Sequence, residues 1–249
     1  VNFEMAWPLA LILMLLLGIV IGFAHGLLIT RLKLQPFIVT LCGLLIYRGA
    51  ARFYTQDATA GFGFGVSFPT LEWMTTGRLY GVPHTFIAMI VIAAVMWVVL
   101  HRSVFGRHLF AVGKNEEAAR YSGIATGRVI VSAYVICGIL TAISAIFFAM
   151  YTRSISPSSH GNFYELYAIA AAVLGGCSLR GGEGSIIGVV LGAVLLQVLQ
   201  NLVNLLGIPS SLNFAVTGSV ILIGVLADTQ FSSYRARKLA AKGVALQGK

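Results

Sequence analysis

Residues 6–28 read AWPLALILMLLLGIVIGFAHGLL, a run of 23 residues that contains no Asp, Glu, Lys or Arg. The hydrocarbon core of a bilayer is about 30 Å thick, and a helix needs about 20 apolar residues to cross it. Arg31 and Lys33 follow the run and mark its end, because charged side chains stay near the membrane surface. This stretch therefore predicts a transmembrane helix.

Six further apolar stretches repeat this pattern along the chain. They cover residues 36–49, 84–100, 129–151, 166–179, 185–206 and 212–226. Hydrophobic residues make up 58% of the chain and charged residues 10%, whereas soluble domains average roughly 45–50% and about 25%. The predicted fold is an all-α polytopic membrane helix bundle of about seven spans. No linker divides it, so residues 1–249 are predicted to form a single transmembrane domain.

The basic residues predict the orientation of these spans, because Lys and Arg accumulate in cytoplasmic loops. If residues 101–128 are cytoplasmic, 13 of the 17 basic residues fall in predicted inside segments, including a basic tail at 229–249. We therefore attribute the net charge of +9 to the membrane orientation and to contact with anionic lipid, not to nucleic-acid binding. Val1 falls outside in this orientation, and we expect the chain to lack N-terminal helices of the whole protein.

Glycines recur every four residues in two of the predicted spans. The first run is Gly18, Gly22 and Gly26, and the second is Gly184, Gly188 and Gly192. This spacing lets two membrane helices approach closely, so we predict tight packing within the subunit or at a dimer interface. The alternative is that glycine is simply common in membrane helices. A second glycine cluster, predicted to support a cytoplasmic gate, consists of Gly175, Gly176, Gly181 and Gly182.

The loop at 101–128 has the signature of a short helix with both ends marked. Asn115 is a favoured N-cap residue, and Glu116 and Glu117 follow it where the helix dipole favours negative charge. Gly123 can adopt the left-handed conformation that ends a helix. The loop therefore predicts either a docking element for another protein or an ordinary amphipathic connector.

This loop and three other stretches resemble the permease subunits of bacterial ABC importers for sugars of the ribose, xylose and arabinose type. The resemblance covers nearly the whole chain, and its motifs occur in the family's order. They are Gln35-Pro36-Phe37-Ile38, Gly106-Arg107, Gly113-Lys114-Asn115, Ala118-Ala119, Ser122-Gly123-Ile124, Val173-Leu174-Gly175-Gly176 and Asn201-x-x-Asn204-Leu205-Leu206-Gly207. The family's first helices have no counterpart here, and three upstream helices would give ten.

The resemblance implies a permease homodimer in the bacterial inner membrane that works with a cytoplasmic ATP-binding subunit and a periplasmic sugar-binding protein. The residues that would couple to the ATP-binding subunit are Gly113, Asn115, Glu116, Ala118, Ala119 and Gly123. The chain itself has no P-loop, no paired catalytic carboxylates and no Cys or His cluster for zinc. We therefore expect no enzymatic activity, no metal and no cofactor in this subunit.

Polar residues near the end of the 185–206 span are candidates for the solute path. Gln197, Asn201 and Asn204 share one helix face by their spacing, and amides suit a neutral, hydroxyl-rich sugar. The alternative is that these amides hold helices together. Other solutes also remain open at this point, including a branched-chain amino acid, a nucleoside or an autoinducer. An ATPase-independent carrier or channel is a third reading, although buried charges for ion coupling are nearly absent from the spans.

Overall fold

The computed structural model describes residues 7–62 and 68–207, together with single helical positions at 212, 215, 218, 219 and 222. Most of the described residues are helical, as predicted, and strands are few and short. The helices are α1 (Trp7–Arg31), α2 (Pro36–Thr55), α3 (Pro69–Thr76), α4 (His84–His101), α5 (Val104–Lys114), α6 (Glu116–Tyr121), α7 (Thr126–Thr152), α8 (Tyr164–Leu174) and α9 (Ile186–Leu205).

Two short antiparallel ladders lie between the helices. Strands β1 (Ala60–Gly61) and β4 (Ser154–Ile155) pair with each other. Strands β2 (Arg78–Leu79) and β3 (Val82–Pro83) form a hairpin. Its two loop residues, Tyr80 and Gly81, both have positive φ, which is the conformation of a tight two-residue hairpin turn.

Five of the described helices are long and apolar enough to cross a membrane. They are α1, α2, α4, α7 and α9, with mean hydropathies between 1.3 and 2.6 over their most apolar windows. Four of the predicted crossings agree with these helices to within three residues at each end. The predicted crossing at 36–49 is too short, because α2 continues to Thr55, where Gln56 turns into the left-handed conformation.

The predicted crossing at 166–179 is wrong. α8 has only 11 residues and ends at Leu174, which corresponds to about 16 Å of helix and cannot cover about 30 Å of hydrocarbon. The helix stops because Gly176 takes a positive φ of 85°. The predicted seventh crossing at 212–226 lies outside the described residues except for isolated helical positions, and the tail at 229–249 lies wholly outside them.

The contacts divide the chain into two units, one ending at Asn162 and the other beginning at Phe163. The first unit is organised by α1 and α7, which pack together more extensively than any other pair of helices. They run antiparallel, since Gly18 meets Gly138 while Gly26, later in α1, meets Val131, earlier in α7. In the second unit α8 packs against α9. The single domain over 1–249 stays a prediction.

Candidate functional site

The predicted short helix in the 101–128 loop is present as α6, and Asn115 is its N-cap. The side-chain oxygen of Asn115 accepts a hydrogen bond from the backbone N–H of Ala118 at 2.9 Å. The backbone N–H of Asn115 donates to the carbonyl of Ala111 at 3.1 Å and so also closes the preceding helix. A single residue therefore ends one helix and begins the next, which fixes the angle between them.

The C-terminal end of α6 is equally defined. Gly123 has φ of +83°, and its N–H donates to the Arg120 carbonyl while the Ile124 N–H donates to the Ala119 carbonyl. This pair of hydrogen bonds is the Schellman arrangement, which requires a left-handed residue at the Gly123 position. Both ends of the six-residue helix are thus held by the chain itself.

The two faces of α6 differ. Ala119 is 5% exposed and packs inward, whereas Tyr121 is 83% exposed. The Arg120 guanidinium lies 5.9 Å from the Tyr121 ring centroid. The remaining outward positions are small or acidic, namely Glu116, Glu117 and Ala118. An aromatic side chain beside an arginine on an exposed surface is typical of protein–protein contact points.

The helix α5, which precedes α6, was not predicted from the sequence. The Ser103 hydroxyl caps it by accepting from the Gly106 N–H at 3.1 Å, and Ser-x-x-Gly lacks the acidic third residue that would have signalled a start. At its junction with α4, Arg102 lies over the Trp97 ring at 5.5 Å, and Trp97 stacks on His101. Gly113 lies in α5, two residues before the Asn115 cap.

One end of the first unit is strongly basic. α6 and α5 contact α7, and Gly127 at the start of α7 approaches Thr30 at the end of α1. The basic residues on these segments and their connections are Arg31, Lys33, Arg102, Arg107, Lys114, Arg120 and Arg128. Their presence at one end of the bundle fits the positive-inside rule for a cytoplasmic end.

The opposite end of this unit is tied together by ion pairs and loop contacts. Arg153 donates to Glu72, and Arg48 donates to Asn162. Arg52 donates to Asp57 at 2.6 Å, and this hydrogen bond together with the positive charge holds the pKa of the Asp57 carboxyl below its usual range. The first contact joins α3 to the end of α7, the second joins α2 to the segment after α7, and the third ties α2 to the loop that follows it.

The first glycine run lies in the α1–α7 interface. Cβ atoms added at Gly18 and Gly26 would lie 2.5 Å from the Gly138 oxygen and 2.8 Å from the Val131 Cα, and one added at Gly22 would overlap the Tyr134 carbonyl oxygen. All three neighbours are backbone atoms, which cannot move aside as a side chain can. The glycines therefore let the two helix backbones touch within the subunit.

The other predicted glycines belong to the α8–α9 hairpin. Gly188 and Gly192 approach the backbones of Gly175 and Ala171, while Gly184 approaches the Cys177 sulfur. Gly176, Gly181 and Gly182 adopt positive φ in the connecting segment. The structure thus brings all seven together at one end of the hairpin.

The predicted path residues lie on α9, and only one of them lines a cavity. A groove of about 370 Å³ between α8 and α9 is lined by Gln197, Gln200, Tyr164 and Tyr167 among others. Asn201 and Asn204 lie on exposed positions outside it. Helical spacing alone places Gln197, Asn201 and Asn204 on one face of α9. The packing of α8 on α9 instead puts Gln197 and Gln200 in the groove. The two tyrosines were missed because nothing in the sequence pairs α8 with this part of α9.

A family model described as branched-chain amino acid transport system / permease component matches residues 1–225 of the chain. The chain is 41% identical over 210 residues to the ribose import permease protein RbsC of Bacillus subtilis, covering 84% of this chain and 64% of that protein. It is 38% identical over 216 residues to the ribose import permease protein RbsC of Escherichia coli K12, covering 87% and 67%.

A third relative is named for a different solute. The chain is 34% identical over 230 residues to the autoinducer 2 import system permease protein LsrD of Klebsiella pneumoniae, covering 90% of this chain and 68% of that protein. The chain spans about two thirds of the length of the curated relatives it matches. No solved structure matches the chain.

Proposed function

Because this chain belongs to the family of branched-chain amino acid transport system permease components, we propose that it is the membrane-spanning part of an ABC importer for a ribose-like monosaccharide. The five apolar helices and the family make it a multi-pass membrane protein. The sugar is supported by the two ribose import permeases, at 41% and 38% identity. The proposed location is the bacterial inner membrane, with the 229–249 tail in the cytoplasm.

The observation that carries this proposal is the geometry of α6. A six-residue helix capped at both ends, next to the basic end of the first unit, is a rigid projection on a membrane protein. In the proposed mechanism it docks on a cytoplasmic ATP-binding subunit. ATP binding there favours one docked arrangement over another, and this difference in binding free energy shifts the permease between its two states.

The six proposed coupling residues divide into two roles. Glu116 and Ala118 lie outward and would touch the ATP-binding subunit, and the exposed Tyr121 joins them. Asn115 and Gly123 define the ends of the helix, and buried Ala119 seats it. Gly113 lies in α5, through which movement of α6 would pass to α4 and α7. The contacts of α5 with both of those helices support this route.

The proposed solute path includes the amides of Gln197, Asn201 and Asn204 on α9. An unsatisfied polar group in hydrocarbon costs several kcal/mol, so an apolar helix carries amides only where water, solute or protein meets them. The glycine segment from Gly175 to Gly184 supports the proposed gate, since it sets the α8–α9 connection. Two copies of the whole protein and a periplasmic sugar-binding protein complete the proposed assembly. No metal, cofactor or enzymatic activity is proposed for this subunit.

The test is recruitment of the ATP-binding subunit by the full-length protein in nanodiscs. Ala118→Arg places a bulky charge on the outward face of α6 without touching its caps. We expect the affinity for the ATP-binding subunit to fall roughly tenfold or more, the size of effect seen at interface centres. Binding-protein-stimulated ATP hydrolysis should fall with it. Ala119→Arg is unsuitable, because that residue is buried and the change would unseat the helix.

Ala58→Arg is the matched control, because Ala58 is an exposed position at the other end of the first unit. It should leave recruitment and hydrolysis unchanged. The proposal fails if the wild type recruits no ATP-binding subunit, or if Ala118→Arg binds it as tightly as Ala58→Arg does. Uptake of labelled ribose and of autoinducer 2 by proteoliposomes that contain the same assembly distinguishes the two cargoes named by the relatives.

A further inference from the structure

We propose that the groove between α8 and α9 is a contact site for the ring of the transported sugar. The inference rests on the proposed function and adds to it a defined ligand site with two residues, Tyr164 and Tyr167, that the amide pattern does not contain. The site would take a neutral, hydroxyl-rich ring, held by amides on one wall and by aromatic faces on the other.

The groove exists because the two helices pack unevenly. Near the connection their facing residues are glycine and alanine, and the backbones of Gly175 and Gly188 touch. Farther along the hairpin, the facing side chains are two tyrosines from α8 and two glutamines from α9. Side chains of this size keep the helices apart, so a space of about 370 Å³ opens between them. This volume falls within the range of roughly 300–1,000 Å³ that small-molecule sites occupy.

The depth of the groove along α9 fits a transport site. Gln197 is the twelfth of the 20 residues of this helix, so its amide lies close to the middle of an apolar span. Transport proteins bind their solutes near the bilayer midplane. An amide at this depth is costly in lipid, where an unsatisfied polar group costs several kcal/mol.

The partners available to these amides point to a ligand. Among the residues that the structure describes, none makes a hydrogen bond to the side chain of Gln197 or Gln200. Each amide offers two donors and one acceptor oxygen, which match the hydroxyl groups of a sugar. Tyr164 and Tyr167 lie edge to face with ring centroids 6.5 Å apart. Their ring faces can cover the C–H face of a sugar while the phenol oxygens hydrogen-bond.

The experiment is thiol labelling of the full-length transporter in proteoliposomes, together with its ATP-binding subunit and binding protein. Cys42, Cys137 and Cys177 are first replaced by alanine, and the resulting protein must still take up ribose. Gln197→Cys is then introduced, and its rate of reaction with a water-soluble maleimide is measured with and without D-ribose. Proline at the same concentration serves as a solute without a sugar ring.

We expect the Gln197→Cys thiol to react with the maleimide and D-ribose to slow it. At a sugar concentration ten times the dissociation constant, occupancy alone lowers the rate roughly tenfold. Val198→Cys is the matched control, because Val198 is adjacent, 57% exposed and outside the groove. Its reactivity should be low and should not depend on ribose.

A second readout separates sugar contact from folding. The double change Gln197→Leu, Gln200→Leu keeps the side-chain volume but removes both amides. We expect ribose uptake to fall roughly tenfold, about the loss of one to two net hydrogen bonds. ATP hydrolysis stimulated by the binding protein should stay within about twofold of the wild type, because the variant residues lie far from α6 along the chain and act on the solute.

Three results would overturn the inference. In the first, the wild type takes up ribose, but ribose does not change the labelling rate of Gln197→Cys. This result would leave the importer proposal intact. Another is uptake by the double leucine variant at the wild-type rate. The third is a disulfide between two copies of Gln197→Cys, which would assign the groove to a dimer interface. A wild type that recruits no ATP-binding subunit contradicts the proposed function itself and is detected before any labelling.

Discussion

The two glycine-mediated helix pairs of this protein use the same packing but differ in what they leave uncovered. In the α1–α7 pair, three glycines at four-residue spacing meet the backbone of the partner on three successive turns of α1. In the α8–α9 pair, glycines meet backbone only near the connection, and polar side chains face each other farther along. The first pair keeps its backbones in contact over these turns, whereas the second opens into a groove.

The difference shows that small residues can have two structural roles in one membrane protein. Glycines on three successive turns of a long helix give a continuous backbone contact that resists relative movement, since backbones have no rotamers through which to yield. Glycines at one end of a hairpin act as a joint, and the larger side chains beyond them set the width of the opening. We interpret α1–α7 as a fixed support and α8–α9 as the part that meets solute.

The largest effect is expected at the α1–α7 interface. Gly22→Ala would place a Cβ against the Tyr134 carbonyl oxygen and 2.9 Å from the Val135 Cα. Overpacking of this kind costs about 1–3 kcal/mol, and each kcal/mol lowers the melting temperature by about 2–4 °C for a protein of this size. Thermal unfolding of the full-length protein in detergent measures the shift.

Gly49→Ala is the control for this prediction. Gly49 lies in the helix α2, and an added Cβ would meet nothing within 4 Å. The melting temperature of this variant should be unchanged or slightly higher, because alanine favours a helix over glycine. Equal melting temperatures for Gly22→Ala and Gly49→Ala would contradict the description of α1–α7 as a continuous backbone contact.

A smaller and more local effect is expected at the α8–α9 joint. Gly188→Ala would press a Cβ against the Gly175 carbonyl oxygen, but α8 has 11 residues, and it packs on α9 less extensively than α1 packs on α7. We expect a loss of about 1 kcal/mol, at the low end of the overpacking range. Amide hydrogen exchange should quicken in residues 164–205 and stay unchanged in α1.

Leu191→Ala is the matched control for the joint, because this leucine of α9 is 63% exposed and makes no glycine contact. Its exchange pattern should follow the wild type. If Gly188→Ala quickens exchange in α1 as much as in α9, the two pairs unfold as one unit, and the contrast between support and joint is wrong.

The smallest change in stability is expected in the groove itself. Gln197→Leu removes an amide without changing the helix packing, so the free energy of unfolding should stay within about 0.5 kcal/mol of the wild-type value. If the amide instead holds two helices together, its loss should cost about 0.6–2 kcal/mol. Gln197→Asn, which keeps an amide, is the control, and a clear loss for leucine alone would favour the packing role over the path.

The agreement between sequence and structure is closest where the pattern is local. Asn115, Gly123 and the acidic first turn predicted α6, and each adopts the expected conformation because a cap depends on neighbours within four residues. The family inferred from the motifs is confirmed by the match over residues 1–225. The helix α5 was missed because its cap, Ser103, lacks the usual acidic partner.

The disagreements arise where apolar composition alone had to decide. Residues 166–179 are apolar, but hydropathy does not show that Gly176 turns the chain and leaves α8 too short to cross. The apolar composition likewise predicted that the second span ends at Gly49. The helix continues past this residue, and Arg48 and Arg52 are held by Asn162 and Asp57. A charged side chain with a partner does not end a helix, and the partner of Arg48 is distant in sequence.

The sequence by itself determined that this is an all-helical, multi-pass membrane protein, its family and the caps of α6, because each depends on composition or on short-range spacing. Only the tertiary structure decided that the first glycine run meets α7, that Ala119 faces inward, and that Gln197 and Gln200 share a groove with two tyrosines. Periodicity specifies which residues lie on one face of a helix. Which partner helix packs on that face is decided by contacts between residues farther apart along the chain, such as Gly18 with Gly138 and Gly175 with Gly188.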